Sequence, residues 1–499
     1  MSDLRYSLLA SLAGKAIYAL SSLSMLPLVT RLLGAESVGL LGFFTTLLMV
    51  LMVLEGGLTS AIIRELAGHN RQRERTAVRY LRYTYSLTNT YLLFFLGIGF
   101  LVALIVMGGA GILATGWLKF EVLTISLVKS SIICMGLFIG LNFPILILQG
   151  ALIGSEMQIS MNLLYVPYAL LRTFGVLSVL HLVGERASVE LFFSLQVLVQ
   201  IIYLIGLLFL FYNKGGWLFL RSSPRWRILR RGFQFSAGVM LISLTSVVVV
   251  QFDKVYLSGL FPLEQYAVYA LASTFSGIPY IFSSALQAVL FPRFSMNIAA
   301  GDHHKIERMF RGALSGFGMI VIALCCAVWF FSIYPLRLFF DGKLASDVAQ
   351  VLPILLMGTV LQSLLIIPYA LQLAAGWTSL ALRLNLCSIP FIVVALPLMT
   401  NSFGMAGAAW VWFGYNLISF SATFYFVLKH FCFLRPAFFN FMKLVAFFVF
   451  LACPIFAAVL MWIVPELSNG VAVAAQVLVV AALTILVGVL FRRDMAGFL

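Results

Sequence analysis

Leu92-Leu93-Phe94-Phe95-Leu96-Gly97-Ile98-Gly99-Phe100-Leu101-Val102-Ala103-Leu104-Ile105-Val106-Met107 is the middle of a stretch, 83–118, without one Asp, Glu, Lys or Arg. A helix needs about 20 apolar residues to cross the roughly 30 Å hydrocarbon layer of a bilayer. This run exceeds that length, and comparable runs follow one another along the chain. Their spacing predicts fourteen membrane helices, at 7–30, 39–62, 87–108, 122–149, 158–181, 189–212, 232–256, 266–290, 312–334, 348–373, 378–400, 405–428, 441–464 and 470–491. Short breaks with turn chemistry separate them, such as Gly34-Ala35-Glu36-Ser37 and Gly108-Gly109-Ala110-Gly111. The expected fold class is therefore all-α, a polytopic membrane protein.

Composition excludes the soluble classes. The 499 residues are 62% hydrophobic and 10% charged, against about 45–50% apolar and about 25% charged in soluble domains. The opening Met1-Ser2-Asp3-Leu4-Arg5 leads into a run long enough to span, so the first helix is expected to stay rather than be cleaved. The net charge of +15 does not indicate nucleic acid, because cytoplasmic loops of membrane proteins are enriched in Lys and Arg. With the N-terminus placed in the cytoplasm, 24 of the 32 Lys and Arg fall on the cytoplasmic side. That bias predicts both termini on the cytoplasmic side of an inner or plasma membrane. The six cysteines form no CxxC pair and the five histidines no metal-ligand spacing, so neither cofactor nor metal is expected.

The longest polar connection, 214–231, carries Gly215, Gly216, Pro224 and a cluster of arginines near mid-chain. It predicts an N-terminal six-helix lobe at 1–213, a basic cytoplasmic linker, a second six-helix lobe at 232–430, and a further helix pair at 431–499. A weak repeat agrees with this division: Glu36 and Glu264 lie 228 positions apart, Arg64 and Arg293 229 apart. Repeats of this kind occur in transporters, with substrate sites between the halves.

The segment Pro27-Leu28-Val29-Thr30-Arg31-Leu32-Leu33-Gly34-Ala35-Glu36-Ser37-Val38-Gly39-Leu40 resembles the first-loop signature of Wzx-type flippases of the multidrug/oligosaccharidyl-lipid/polysaccharide superfamily. Phe252-Asp253-Lys254-Val255-Tyr256-Leu257-Ser258-Gly259, Tyr266-Ala267-Val268-Tyr269-Ala270-Leu271-Ala272 and Ala288-Val289-Leu290-Phe291-Pro292-Arg293-Phe294 resemble the region of helices seven and eight. Gly404-Met405-Ala406-Gly407-Ala408-Ala409 is similar to the start of helix twelve. The resemblance implies two six-helix bundles around a central cavity. It also implies movement of an undecaprenyl-diphosphate-linked oligosaccharide to the outer leaflet. The partners it implies are that anionic lipid and other polysaccharide-assembly membrane proteins.

Charges inside the predicted spans point the same way. A charge at the bilayer centre costs about 2.5–3.5 kcal/mol, so it usually faces a cavity or a partner. Ser11, Lys15, Tyr18 and Ser22 share one face of helix one, and Ser236, Ser243, Ser246 and Asp253 give helix seven a matching stripe. Arg172 lies deep in helix five and Lys129 about two turns into helix four. The candidate cavity cations are Lys15, Arg31, Lys129, Arg172 and Lys254, with snorkelling as the plainer role for Arg31 and Lys254. Asp253 and Lys254 are adjacent, and adjacent helical residues point apart, so no direct pair is expected. Glu55 is the one acid well inside a span, either a coupling-ion ligand or the partner of a basic residue. Cationic interiors suit a diphosphate; a cation antiporter needs buried carboxylates. A membrane enzyme of polysaccharide assembly would need a polar catalytic cluster and large outer loops, which the sequence lacks. A scaffold without transport activity is disfavoured by the buried charges alone.

Overall fold

The computed structural model describes residues 21, 23–70, 77–213, 222–377, 379–462, 471 and 478. The regular structure of these residues is helical, apart from one isolated β-bridge between Lys119 and Pro262. Among the described residues, eleven helices are long and apolar enough to cross a membrane. One of them, Ser379–His430, is two segments joined at Gly404, where φ is 58°. Twelve of the fourteen expected spans are thereby matched. Most of the first and nearly all of the last expected span lie outside the described residues.

The chain forms two compact units, Met1–Ala267 and Val268–Leu499. In chain order, the first holds α1 (Leu23–Leu33), α2 (Ala35–Leu51), α3 (Leu58–Asn70), α4 (Ala77–Ile112), α5 (Ile125–Gly154), α6 (Gln158–Leu170), α7 (Val176–Val183), α8 (Val189–Tyr212) and α9 (Trp226–Leu260). α10 (Leu263–Ser276) runs across the division. The second unit continues with α11 (Ile278–Ala299), α12 (His303–Phe331), α13 (Ile333–Phe339), α14 (Gly342–Ala374), α15 (Ser379–His430) and α16 (Arg435–Trp462).

The division falls one helix beyond the basic connection at 214–231. α9 starts within that connection and packs on α2, α3 and α4, which is why it clusters with the first unit. The described part of the connection, 222–225, is fastened to α4. Ser86 Oγ donates to Ser223 O at 2.6 Å, Arg225 N–H to Thr90 Oγ1 at 2.8 Å, and Asn89 Nδ2 to Ser222 Oγ at 3.0 Å.

In the first unit Phe44 meets the edges of Phe138 and Phe193 at 5.2 and 5.4 Å. α4 and α5 cross where Gly99 faces Gly140. A Cβ built on Gly99 would lie 2.2 Å from Gly140 O, and one on Gly140 2.5 Å from Gly99 O. Gly136, one turn earlier on α5, is tight against Val106. Small residues spaced four apart let membrane helices approach and gain dispersion contacts that lipid chains cannot match. Gly140→Ala is expected to force α4 and α5 apart and lower the amount of folded protein in the membrane severalfold. Immunoblots of membranes check this, and an unchanged level would contradict the crossing.

The second unit packs its core between α11, α12, α14, α15 and α16, with Phe294, Phe310, Phe331 and Phe441 almost fully buried. Phe424 of α15 stacks on Phe438 of α16 at 4.6 Å. Asp302 caps α12, accepting from Lys305 N–H at 3.0 Å and pairing with Lys305 Nζ at 2.8 Å. Those contacts hold its carboxyl below the ordinary value.

Two expected spans are broken. The helix predicted over 39–62 ends at Leu51, turns through Met52–Glu55, passes Gly56 and Gly57 at φ 63° and 75°, and restarts as α3 at Leu58. The helix predicted over 158–181 contains a wide turn, Leu171–Gly175, between α6 and α7. Insertions of this wide-turn type frequently mark functional positions.

Candidate functional site

The signature around Gly34–Gly39 is where the first unit closes one of its ends. Gly34 takes φ 82° and links α1 to α2. Glu36, 6% exposed, then turns its carboxylate onto a strand of backbone 85 residues further on. Oε1 accepts from the N–H of Glu121 at 2.7 Å and of Val122 at 3.1 Å; Oε2 accepts from Val122 at 3.1 Å and Leu123 at 2.8 Å. Three consecutive N–H groups converging on one carboxylate form an anion nest, and charge-assisted bonds of this kind are about twice as strong as neutral ones.

The same strap, 117–123, is fixed on its other side to the end of α9. Trp117 Nε1 donates to Ser258 Oγ at 3.1 Å and Lys119 Nζ to Leu260 O at 2.9 Å. Leu263 N–H donates to Lys119 O at 2.7 Å. α2 contacts the α9–α10 junction directly. A Cβ on Gly39 would sit 2.1 Å from Leu263 O, and Thr46 Oγ1 and Tyr266 Oη lie 3.2 Å apart. Segments far apart in sequence are thus latched together at one end of the first unit.

This latch explains a correction. Lys129 is exposed and lies about one turn into α5, not two, because α5 starts at Ile125. Residues 121–123, expected to be helical, give their N–H groups to Glu36 instead. Arg31 is also exposed, in the last turn of α1. Lys15 lies outside the described residues.

Arg172 is the expected cation that the fold encloses most elaborately. It is half-buried on the wide turn between α6 and α7. Its Nε donates to Gln196 Oε1 at 2.9 Å, while Gln196 Nε2 donates back to Arg172 O at 3.0 Å. The guanidinium carbon sits 4.9 Å above the Phe138 ring, a cation–π placement. Gln196 itself is buried and also contacts Met25 Sδ. One α8 face carries on the polar run: Gln200 accepts from Tyr168 Oη at 2.5 Å, and Tyr203 Oη accepts from Gln149 Nε2 at 2.9 Å. Tyr168 and Tyr203 stack at 4.1 Å.

Lys254 is paired, against the expectation for neighbouring helical residues. Its Nζ lies 3.2 Å from Asp253 Oδ1 and donates to Val250 O at 3.0 Å, with 17% of the side chain exposed. The long Lys stem curls back along α9, so the backbone directions do not forbid the pair. Among the described residues, Glu55 pairs with no basic side chain. Its carboxylate accepts from Gly57 N–H at 3.0 Å and Thr59 N–H at 2.5 Å, capping α3 where the span breaks. Glu55→Gln keeps one acceptor oxygen for the cap. Its expected effect is a small loss of stability, about 1 kcal/mol, with transport and its ion dependence retained if capping is its whole role. Loss of ion dependence at a normal protein level would assign it to coupling.

Glu36 and Gln196 were not singled out as site residues from sequence, whereas Asp253 stood in the polar stripe of helix seven. Glu36 stood inside the signature, so its position was marked although its contact was not. The repeat partner Glu264 is exposed and forms no equivalent clamp among the described residues.

Comparison with known proteins places these features. Residues 6–298 match the family described as polysaccharide biosynthesis protein, and 239–398 match the MatE family. A protein of Shigella flexneri named "Putative O-antigen transporter" is 23% identical over 414 residues, covering 81% of this chain and 92% of that protein. An inward-facing multidrug resistance MATE family transporter of the MOP superfamily superposes with TM-score 0.69 at 15% identity, over 85% of this chain and 96% of that one. The lipid II flippase MurJ, in an inward closed conformation, gives 0.66 at 13% identity, over 98% and 99%. With a MATE-like fold and a family match across more than half its length, the chain belongs to the polysaccharide biosynthesis protein family, within the multidrug/oligosaccharidyl-lipid/polysaccharide exporter superfamily.

Proposed function

We propose that this protein is a flippase that carries an undecaprenyl-diphosphate-linked oligosaccharide from the inner to the outer leaflet of a bacterial inner membrane. The chain moves the lipid without chemically altering it and works by alternating access between two lobes. The observation that carries the reading is the latch at Glu36, 117–123 and 258–263. It fastens one end of the first unit, the charge-poor end that the basic bias puts outside, and in this scheme the anionic lipid enters from the charge-rich side. Arg172 serves as the principal phosphate-attracting group, with Lys15 and Lys254 as further cavity cations and Arg31 and Lys129 toward the surface.

The MatE match makes a cation antiporter the second reading. That activity needs free buried carboxylates. Among the described residues, Glu36 is spent on three backbone N–H groups, Asp253 on Lys254 and Glu55 on the start of α3, which favours the anionic substrate.

Both termini are cytoplasmic in this scheme. In a variant with the native cysteines replaced, single cysteines near Glu121, Glu185, Asp341 and Glu466 are expected to label from outside, and one near Arg75 is not. Outside labelling near Arg75 would overturn the topology. For the activity, deletion of the gene in its host is expected to abolish surface polysaccharide and accumulate the lipid-linked precursor, with plasmid-borne protein restoring both. Normal surface polysaccharide in the deletion strain would contradict the proposal.

A further inference from the structure

The second unit carries a basic cleft of about 320 Å³ between the end of α15 and the start of α16, lined by Tyr425, Leu428, Lys429, Arg435 and Phe439. Tyr425, Leu428 and Lys429 share one face of α15. Arg435 and Phe439 share one face of α16, and Lys443, also exposed, continues it one turn later. Arg435 Nε donates to Leu428 O at 3.3 Å, which tethers the guanidinium across the cleft toward α15.

Charge in this region is unbalanced. No Asp or Glu occurs from residue 348 to 465, a stretch that holds Arg383, Lys429, Arg435 and Lys443. At the same end of the unit, where His303 meets Phe433 at 4.8 Å, Asp302 is already paired with Lys305. The two aromatic walls are 61% and 60% exposed. An amphipathic ring beside two cations at the end of a membrane helix is the arrangement of the headgroup layer. Basic pockets between membrane helices at the cytoplasmic surface suit phosphate headgroups.

We propose that this cleft is a binding site for the phosphate headgroup of an anionic phospholipid of the surrounding leaflet. Lys429 and Arg435 neutralise the phosphate, and Tyr425 and Phe439 lie along the upper acyl chains. The role is distinct from the transported substrate: a bound lipid would bridge α15 to α16 across the Cys432–Leu434 turn that joins them.

The test is native mass spectrometry of the purified full-length protein in detergent with equal amounts of phosphatidylglycerol and phosphatidylcholine. The unaltered protein is expected to retain phosphatidylglycerol with a preference on the order of tenfold, as two near-surface cations provide. Lys429→Gln with Arg435→Gln should abolish the preference, while Lys429→Arg with Arg435→Lys and, separately, Lys305→Gln should keep it. Circular dichroism establishes that each variant is folded. A folded double-Gln variant with undiminished preference overturns the site. A third arm adds undecaprenyl diphosphate. If it displaces phosphatidylglycerol one for one from the unaltered protein but not from the double-Gln variant, the occupant is the polyprenyl carrier, and the assignment to bulk lipid is wrong.

Discussion

Glu36→Ala is expected to open the latched end and to abolish vectorial transport while leaving the protein in the membrane. The carboxylate takes three backbone N–H groups through four contacts of 2.7–3.1 Å. Losing such charge-assisted bonds costs about 3 kcal/mol or more in total, roughly a hundredfold change in the ratio of latched to unlatched forms. Ser258, buried beneath Trp117 in the latched form, reports on it. In a variant without the native cysteines, Ser258→Cys should react slowly with an impermeant reagent from outside, and much faster once Glu36→Ala is added. Glu36→Gln should fall between the two, because its remaining oxygen still accepts from two of the N–H groups while its amide group faces a third that also donates. Equal reactivity of the introduced thiol with and without Glu36 would show that the strap holds by other means.

Arg172→Ala is expected to lower polysaccharide export tenfold or more at a normal membrane level. The guanidinium is held from both sides, by Gln196 and by the face of Phe138. Arg172→Lys keeps the charge but cannot reproduce a planar fork held at Nε and stacked on a ring; partial activity is its expected outcome. Gln196→Leu separates the roles. If Arg172 acts through its charge on substrate phosphate, Gln196→Leu should weaken export less than Arg172→Ala does. If the pair is structural, both changes should lower the membrane level together, with export per molecule unchanged.

The sequence carried the spans, the superfamily and the place of the latch, for identifiable physical reasons. A charge-free apolar run has few structural options other than crossing a bilayer, so hydropathy located twelve spans that the described residues contain. The Gly34–Gly39 signature was legible because Gly34 needs a positive φ and Gly39 must admit the backbone of Leu263. What hydropathy could not show was where polar groups reach. Nothing local says that Glu36 serves residues 121–123, or that Gln196 holds Arg172 24 positions away. Window-averaged apolarity also ran across Gly56-Gly57, although two adjacent glycines were the visible sign of the break that Glu55 caps. The Asp253–Lys254 pair was missed by reasoning from Cβ directions alone, which neglects the reach of a flexible lysine.

The central claim is that this protein moves a lipid-linked oligosaccharide across a bilayer. Proteoliposomes containing the purified protein and a fluorescent undecaprenyl-diphosphate-linked oligosaccharide, assayed for the fraction exposed to an impermeant quencher, test it most directly. The account predicts exchange between leaflets far faster than in protein-free vesicles, and slowed tenfold or more by Arg172→Ala. Exchange no faster than in protein-free vesicles, from protein shown to be folded, would contradict it.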